Sequence, residues 1–287
     1  MKHFSVRQFE EGDVDFAYKM DMMEQWDDTK NDIYRMFHYE PKGCFVAEAE
    51  GKLVGHVFSI SYGRLGWIGL LIVKAEYRRK GVGTLLIKKA MDYLLSGGVE
   101  TIRLEAVSAI ASLYGELGFV GEYDSLRFLA TDPKLALASS PNVKILKKEK
   151  IKEIAKFDAE YFGANRTKVL NKLYQDNPEL CFVSYAESKI TGYLMCRKTE
   201  TGYRIGPWAC KPENPQAARE LLMRCVKEIG CNVKLYVGVP AVNKLAVEIL
   251  EEANFRQYSK SIRMRFGKKL ETEHVSGIFA IGGPEKG

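Results

Sequence analysis

A mixed α/β fold arranged in two domains is the architecture this sequence predicts. Three observations predict it: its length, an order of strands and helices that occurs twice, and one glycine-rich turn running from a strand into a helix. At 287 residues the chain exceeds the size at which a single hydrophobic core stops growing. With 46% hydrophobic and 28% charged residues it has the composition of an ordinary globular protein.

The first half alternates strand-like and helical periodicity. Strands are expected over residues 4–9, 44–50, 53–62 and 67–73, with helices near 13–23 and 33–38. After Val73 come a loop, a helix over 83–95 stopped by Gly97-Gly98, a strand over 101–106, a short helix over 109–117 and a strand around 125–130. Residues 131–142, with Asp132-Pro133 and Ser139-Ser140-Pro141, read as a linker.

The second half repeats this order. Helices near 151–162 and 167–175 precede strands at 181–187, 190–197 and 203–209, followed by a helix over 216–228, a strand over 233–239, a helix over 243–252 and a strand over 261–266. Matching Leu117-Gly118-Phe119 to Ala253-Asn254-Phe255 keeps the closing helices in register, which points to an internal duplication. The expected domains are therefore 1–131 and 143–287, joined by 132–142. For the tail over 275–282 the default expectation is a frayed end, against an added strand or packing across the domain interface.

The chemistry is concentrated in Val73-Lys74-Ala75-Glu76-Tyr77-Arg78-Arg79-Lys80-Gly81-Val82-Gly83-Thr84-Leu85-Leu86. Gly81 and Gly83 allow a tight turn and close approach of a ligand to backbone N–H groups at a helix start, where the helix dipole also favours an anion. Arg78, Arg79 and Lys80 add positive charge suited to phosphates. The G-x-x-x-x-G-K-[ST] pattern of a P-loop is absent, and Leu86 stands where a dinucleotide fingerprint needs its third glycine.

Composition excludes other classes. No apolar run is long enough to span a membrane, and the first residues lack a signal-peptide core, so a cytoplasmic protein without a membrane partner is expected. The six cysteines form no C-x-x-C pair and no cluster with the four histidines, so neither a metal site nor a disulfide framework is expected; they read as reduced, mostly buried thiols. The net charge is +6, but residues 1–50 carry twelve acids against six bases, leaving about +12 on the remainder. That basic remainder suits a phosphate-rich ligand. No helix-turn-helix, zinc or aromatic-rich signature accompanies it, so a nucleic-acid partner is not expected.

The loop, together with A-S-L-Y-G-E-L-G-F at 111–119, resembles the GNAT superfamily of N-acetyltransferases over essentially the whole first half. M-E-Q-W-D-D (23–28), F-V-A-E (45–48), I-G-P-W (205–208), S-I-R-M-R-F-G (261–267) and G-I-F-A-I-G-G-P-E-K-G (277–287) are similar to a tandem subgroup with a degenerate second GNAT-like domain. The resemblance implies two mixed, mostly antiparallel sheets flanked by helices, with acetyl-CoA as cosubstrate and a small-molecule or peptide amine as acceptor. It implies that the backbone of Leu71, Ile72 and Val73 meets the pantetheine arm. Arg78, Arg79, Lys80, Gly81, Val82, Gly83 and Thr84 would wrap the pyrophosphate, and Tyr114 would face the thioester sulfur.

Direct acyl transfer needs an unprotonated amine, a polarised carbonyl and a proton for the departing thiolate. Tyr114 is the expected proton donor, and a backbone N–H near Val73 the expected carbonyl partner. Relatives often carry a basic glutamate in the fourth strand, but here that stretch reads Trp67-Ile68-Gly69-Leu70-Leu71. Glu105, at the end of the fifth strand, is the remaining candidate, with Glu24 and Asp27 able to act through water. Asp21, Glu24, Asp27, Asp28 and Asp32 form an acidic segment suited to a cationic amine, and Trp26 lies among them.

At the loop position the second half reads Lys211-Pro212-Glu213-Asn214-Pro215, and Leu250 replaces the tyrosine. Prolines remove backbone donors and Glu213 opposes phosphate, so this half is expected to shape the acceptor site rather than bind CoA. The alternative from another functional class is a non-catalytic sensor of acyl-CoA.

Overall fold

A computed structural model describes residues 4–134, 140–230, 232–270 and 273–287. The chain forms two compact units. Among the described residues, unit 1 takes those within 1–120, 264–269 and 285–287, and unit 2 those within 121–263 and 270–284. Neither unit is contiguous in sequence. Part of the linker segment, 135–139, and Cys231 lie outside the described residues.

Unit 1 contains β1 (Phe4–Gln8), α1 (Val14–Met23), α2 (Lys30–Tyr39), β2 (Phe45–Ala49), β3 (Lys52–Tyr62), β4 (Leu65–Val73), α3 (Val82–Ser96), β5 (Thr101–Ala106) and α4 (Ala111–Glu116). The sheet is antiparallel from β1 to β4 and becomes parallel between β4 and β5. The second helix starts three residues earlier than its apolar periodicity suggests. Thr29 accepts from the Asp32 N–H at 3.1 Å and Asp32 accepts from the Thr29 N–H at 2.8 Å, a reciprocal cap that fixes the helix start.

Residues 264–269 belong to unit 1 because they lie along β5. The Thr101 hydroxyl donates to the Lys268 carbonyl at 2.7 Å, and Gly267 approaches the Glu100 backbone so closely that a Cβ there would sit 2.2 Å from the Glu100 carbonyl oxygen.

Unit 2 contains β6 (Val120–Ala130, from Gly121 onward), β7 (Val143–Ile145), α5 (Ile151–Phe162), α6 (Thr167–Asp176), β8 (Cys181–Ala186), β9 (Lys189–Lys198), β10 (Gly202–Cys210), α7 (Pro215–Ile229), β11 (Lys234–Pro240), α8 (Lys244–Glu252), the first part of β12 (Arg256–Gly267) and β13 (Ile278–Ala280). β6 falls here because it pairs antiparallel with β11 over six residues. β7 through β10 are antiparallel, and β10 runs parallel to β11. Trp208, Phe279, Phe128, Phe182 and Phe255 fill the core, with the Trp208 and Phe279 rings 5.2 Å apart.

β10 and β11 pair only over 202–205 with 234–237. Beyond that point β13 takes the edge of β10 at Trp208 and Ala209, and the Ile281 N–H donates to the Gly238 carbonyl at 2.9 Å. The tail is therefore a buried strand of unit 2, not a frayed end, because its backbone groups find partners where the two parallel strands separate. Five cysteines, at 44, 181, 196, 210 and 225, are buried and free. Among the described residues, no helix is long and apolar enough to cross a membrane.

A buried polar cluster holds α5, α6 and β9 together. Arg166 donates to both carboxylate oxygens of Asp158 at 2.7 Å, and the Tyr193 hydroxyl donates to the same carboxylate at 2.5 Å, with all three side chains buried. Arg166→Met leaves a buried carboxylate without its countercharge and is expected to lower unfolding free energy by about 3–5 kcal/mol. Tyr193→Phe, which removes one hydrogen bond, should cost about 1–2 kcal/mol. Urea unfolding of both variants checks the order of the two effects.

Candidate active site

β4 leaves the sheet under tight backbone control. The Lys74 N–H donates to the Val54 carbonyl at 2.9 Å, and a single 3-10 turn over Ala75–Tyr77 follows. Arg79 (φ 59°) and Gly81 (φ 85°) both adopt left-handed backbone conformations, which swing the chain into the start of α3. Gly81 is the N-cap and has no side chain with which to cap, so the first-turn N–H groups of a 15-residue helix are left for another acceptor. A Cβ at Gly83 would meet nothing nearer than 3.9 Å, so the backbone is open to close approach there. Val82 is buried and anchors the turn from beneath. Thr84, half-buried, follows in the first helical turn.

Charged side chains surround this turn, and two of them are already engaged. Arg78 donates from Nε to the Val73 carbonyl at 2.9 Å and pairs through its guanidinium with Glu24, so an expected phosphate ligand and an expected substrate residue form one link. The Lys80 ammonium donates to the Glu76 carbonyl at 2.6 Å and lies 5.6 Å from the Tyr77 ring centre. Arg79 is exposed.

The second element of the site is a gap between strands. β4 and β5 pair over only three residues, 65–67 with 101–103. On the other side of β4, the register with β3 shifts between the Phe58–Gly69 and His56–Ile72 pairs, with Leu70 at φ 48°. Leu71, Ile72 and Val73 therefore follow an irregularity that redirects their backbone groups relative to the regular ladder.

The two faces of this sheet are distinct. Cβ atoms built at Gly55 and Gly66 would point at Leu86 and Leu94 of α3. His56 and Phe58 point the other way: His56 lies against Phe16 of α1, and Phe58 against Phe9, which also contacts Phe37 of α2. By strand alternation Tyr62, Trp67 and Gly69 share this second face, and so do Arg103 and Glu105 through the Trp67–Arg103 pair.

Tyr114 is buried in α4 with its ring 5.9 Å edge-on from Phe119. Its neighbour Leu113 lies beside Gly83, which brings α4 next to the glycine turn. Burial pushes the Tyr114 phenol well above its usual range, so it holds its proton throughout the physiological range. Glu105 is half-buried on the α1/α2 face of β5.

Glu24, Trp26 and Asp27 occupy a tight turn after α1, in which Gln25 and Asp27 have positive φ. Of the acids expected to form one acceptor-facing surface, Asp32 is instead committed to capping α2 and to an ion pair with Arg35, and Asp21 and Asp28 are buried. That surface is reduced because local caps claim side-chain oxygens before a ligand does.

Two features escaped the sequence reading. His56 is fully buried beside the Leu70 irregularity, and neither ring nitrogen has a hydrogen-bond partner of normal geometry among the described residues. Burial lowers its pKa to about 4, while the nearby Leu70 backbone acts weakly in the opposite direction. The second feature is residues 285–287, which pack in unit 1 on the α1/α2 face. A Cβ on Gly69 would fall 2.4 Å from the Glu285 Cα, and the Tyr62 hydroxyl donates to the Lys286 carbonyl at 2.9 Å. A lone histidine in an apolar strand is the only sequence signal for the first; for the second, the 277–287 motif marks the segment but not where it packs.

Both halves of the chain match one acetyltransferase family. Residues 7–119 match the acetyltransferase (GNAT) family, and residues 154–280 match an acetyltransferase (GNAT) domain. The chain is 22% identical over 251 residues to holothin acyltransferase of Pseudoalteromonas sp., covering 87% of this chain and 83% of that protein. N-alpha-acetyltransferase 30 of Xenopus laevis is 35% identical over 104 residues, covering 33% of this chain and 38% of that protein. A solved Pyrococcus horikoshii structure assigned as an acetyltransferase superposes with a TM-score of 0.84 at 24% identity, covering 99% of this chain and 96% of that one. A tandem GNAT protein from the clavulanic acid biosynthesis pathway superposes at 0.64 with 12% identity, covering 92% and 98%.

The buried histidine generates a pH dependence. Its pKa is about 4 when folded and about 6.5 when unfolded, so its contribution is fully present above pH 6.5. It is lost as pH falls towards 4, because the unfolded chain takes up the proton first. Stability should therefore drop by up to about 3 kcal/mol across that window, on the usual conversion of a pKa difference. His56→Phe is expected to flatten this part of the curve in denaturant titrations at stepped pH.

Proposed function

Because this chain belongs to the GNAT acyltransferases and carries two such domains in tandem, we propose that unit 1 moves an acetyl group from acetyl-CoA to a primary amine of a small molecule or peptide within a ternary complex. The observation that carries this reading is the meeting, in unit 1, of an open helix N-terminus with a strand pair that parts after three residues. The first feature suits a diphosphate, held by the N–H groups from Val82 to Thr84 with Arg79 and Lys80 beside them. The second exposes β4 backbone from Leu71 to Val73 to an extended amide-bearing arm, which pairs with it like an added strand.

Each catalytic requirement then has a residue. A main-chain N–H beside the Leu70 irregularity polarises the thioester carbonyl. Tyr114 gives its proton to the departing sulfur; its raised pKa makes that transfer depend on contact rather than acidity. Glu105, on the α1/α2 face, is one carboxylate placed to receive the amine proton, with Glu24 and Asp27 acting through water. Glu24 also braces Arg78, and Trp26 walls the same turn. A cytoplasmic location, with no membrane partner, is part of this proposal.

Unit 2 serves a different role in this proposal. Where its parallel strands part, β13 lies along β10, in the position that the reading above gives to the arm of CoA in unit 1. Its corresponding helix begins at Pro215, and the Asn214 side chain already accepts from the Ala217 N–H at 3.1 Å. Both features leave unit 2 without an open cradle, so it acts as a structural or acceptor-shaping domain.

Isothermal calorimetry should give one acetyl-CoA per chain. Tyr114→Phe should lower kcat about 100-fold, in the range of a lost general acid, while leaving the acetyl-CoA Kd nearly unchanged. Two CoA molecules per chain would restore unit 2 as a binding domain, and an unaltered kcat would remove Tyr114 from the chemistry.

A further inference from the structure

An amine acceptor arrives mostly protonated near neutrality, so a proton acceptor has to stand where the amine enters. The α1/α2 face of β4 presents Leu65, Trp67 and Gly69, none of which can take a proton. At Gly69 the space of a side chain is filled from elsewhere in the chain. The Glu285 backbone occupies it, with its Cα 2.4 Å and its carbonyl oxygen 2.6 Å from where a Cβ would be. Tyr62 fixes the segment from the adjacent strand through its hydrogen bond to the Lys286 carbonyl.

Placement makes this contact more than packing. Gly69 lies between Trp67, where β4 and β5 stop pairing, and Leu70, where β4 departs from the regular ladder. The glycine turn and α3 belong to the opposite face, so a donor held there and an acceptor on the α1/α2 face meet at this gap. Glu285 and Lys286 are 3% and 2% exposed and form an ion pair with each other. A pair at that depth contributes little net stability, because desolvation offsets most of its attraction.

Resting on the acetyltransferase reading, we propose that Glu285 is the residue that accepts the amine proton, and that Tyr62 is its positioning residue. The Glu285 carboxylate takes one proton from the ammonium group. The freed nitrogen lone pair forms the N–C bond to the acetyl carbonyl carbon, and the C–S bond breaks with its electron pair leaving on sulfur. Tyr114 protonates that sulfur and is itself reprotonated by the second proton shed from the acylated nitrogen. Glu285 returns its proton to solvent.

Other ionisable groups share this face and enter any pH profile. Tyr62 and His56 come from β3, Arg103 and Glu105 from β5, and Lys286 from the segment itself. The helices that cover the face contribute buried Asp21, Asp32, Arg35 and Tyr39. Glu105 is the direct competitor for the role.

The test uses the full chain with acetyl-CoA and a panel of spermidine, glucosamine, lysine and a peptide with a free α-amine, reading thiol release against pH. Glu285→Gln is expected to lower kcat/KM at pH 7 about 100-fold and to abolish the acidic limb of the profile, with acetyl-CoA affinity by calorimetry unchanged. Glu285→Asp should keep the limb at a reduced rate, and formate should partly rescue Glu285→Ala. Tyr62→Phe should reduce the rate less and leave the limb in place.

A Glu285→Gln enzyme with the wild-type limb and rate overturns the proposal, as does one that turns over faster than the wild type, which would make the segment an obstruction. Loss of the limb in Glu105→Gln alone transfers the role to Glu105. Should Glu285→Gln fail to keep the wild-type melting temperature, Glu285→Asp decides: a folded Asp variant lacking the limb also refutes the assignment. A wild-type chain that gives no heat with acetyl-CoA defeats the acetyltransferase reading itself, an outcome separate from a base assigned to the wrong residue.

Discussion

β4 and β5 share three residue pairs and then separate, and the chemistry proposed for unit 1 depends on that separation. A parallel pair that continued would satisfy its backbone groups internally and leave nothing for a ligand to meet. The short pairing instead leaves main-chain donors and acceptors of β4 unclaimed by β5. The irregularity at Leu70 aims them, and the turn through Arg79 and Gly81 places a helix start nearby. Strand, irregularity and helix start form one backbone device, and the side chains around it are secondary.

Unit 2 meets the same geometric problem by internal means. Its parallel strands also part early, after Ile205 and Val237, but β13 and Ile281 satisfy the exposed groups. Gly206 makes this possible, since a side chain there would collide with the Ile281 carbonyl oxygen. One architecture thus appears twice with two solutions to its unpaired backbone, one filled by the chain itself and one, in the proposed function, met by a partner molecule.

How much of this was legible in the sequence follows from the range of the interactions involved. The glycine turn was legible because Gly81, Gly83 and the basic triplet act within a few residues of one another, and the element order was legible because apolar periodicity is local. α2 starts ahead of its first apolar residue because the Thr29–Asp32 cap, not the apolar pattern, sets its first turn. The placing of 264–269 and 285–287 in unit 1 depends on contacts with Glu100, Thr101, Gly69 and Tyr62 that no local pattern encodes. Gly69 looked like a departure that removed a carboxylate, and only its contact with Glu285 gives the missing side chain a physical reason.

The interleaving of the two units sets an order on biosynthesis. Residues 4–120 of unit 1 precede unit 2 along the chain, yet β5 lacks its partner on the side away from β4 until residues 264–269 appear, and the face at Gly69 stays uncovered until 285–287 follow. Domains that fold one after another during translation complete each unit before the next begins. Here unit 1 starts before unit 2 and closes after it, so its half-built sheet waits through the synthesis of residues 121–284.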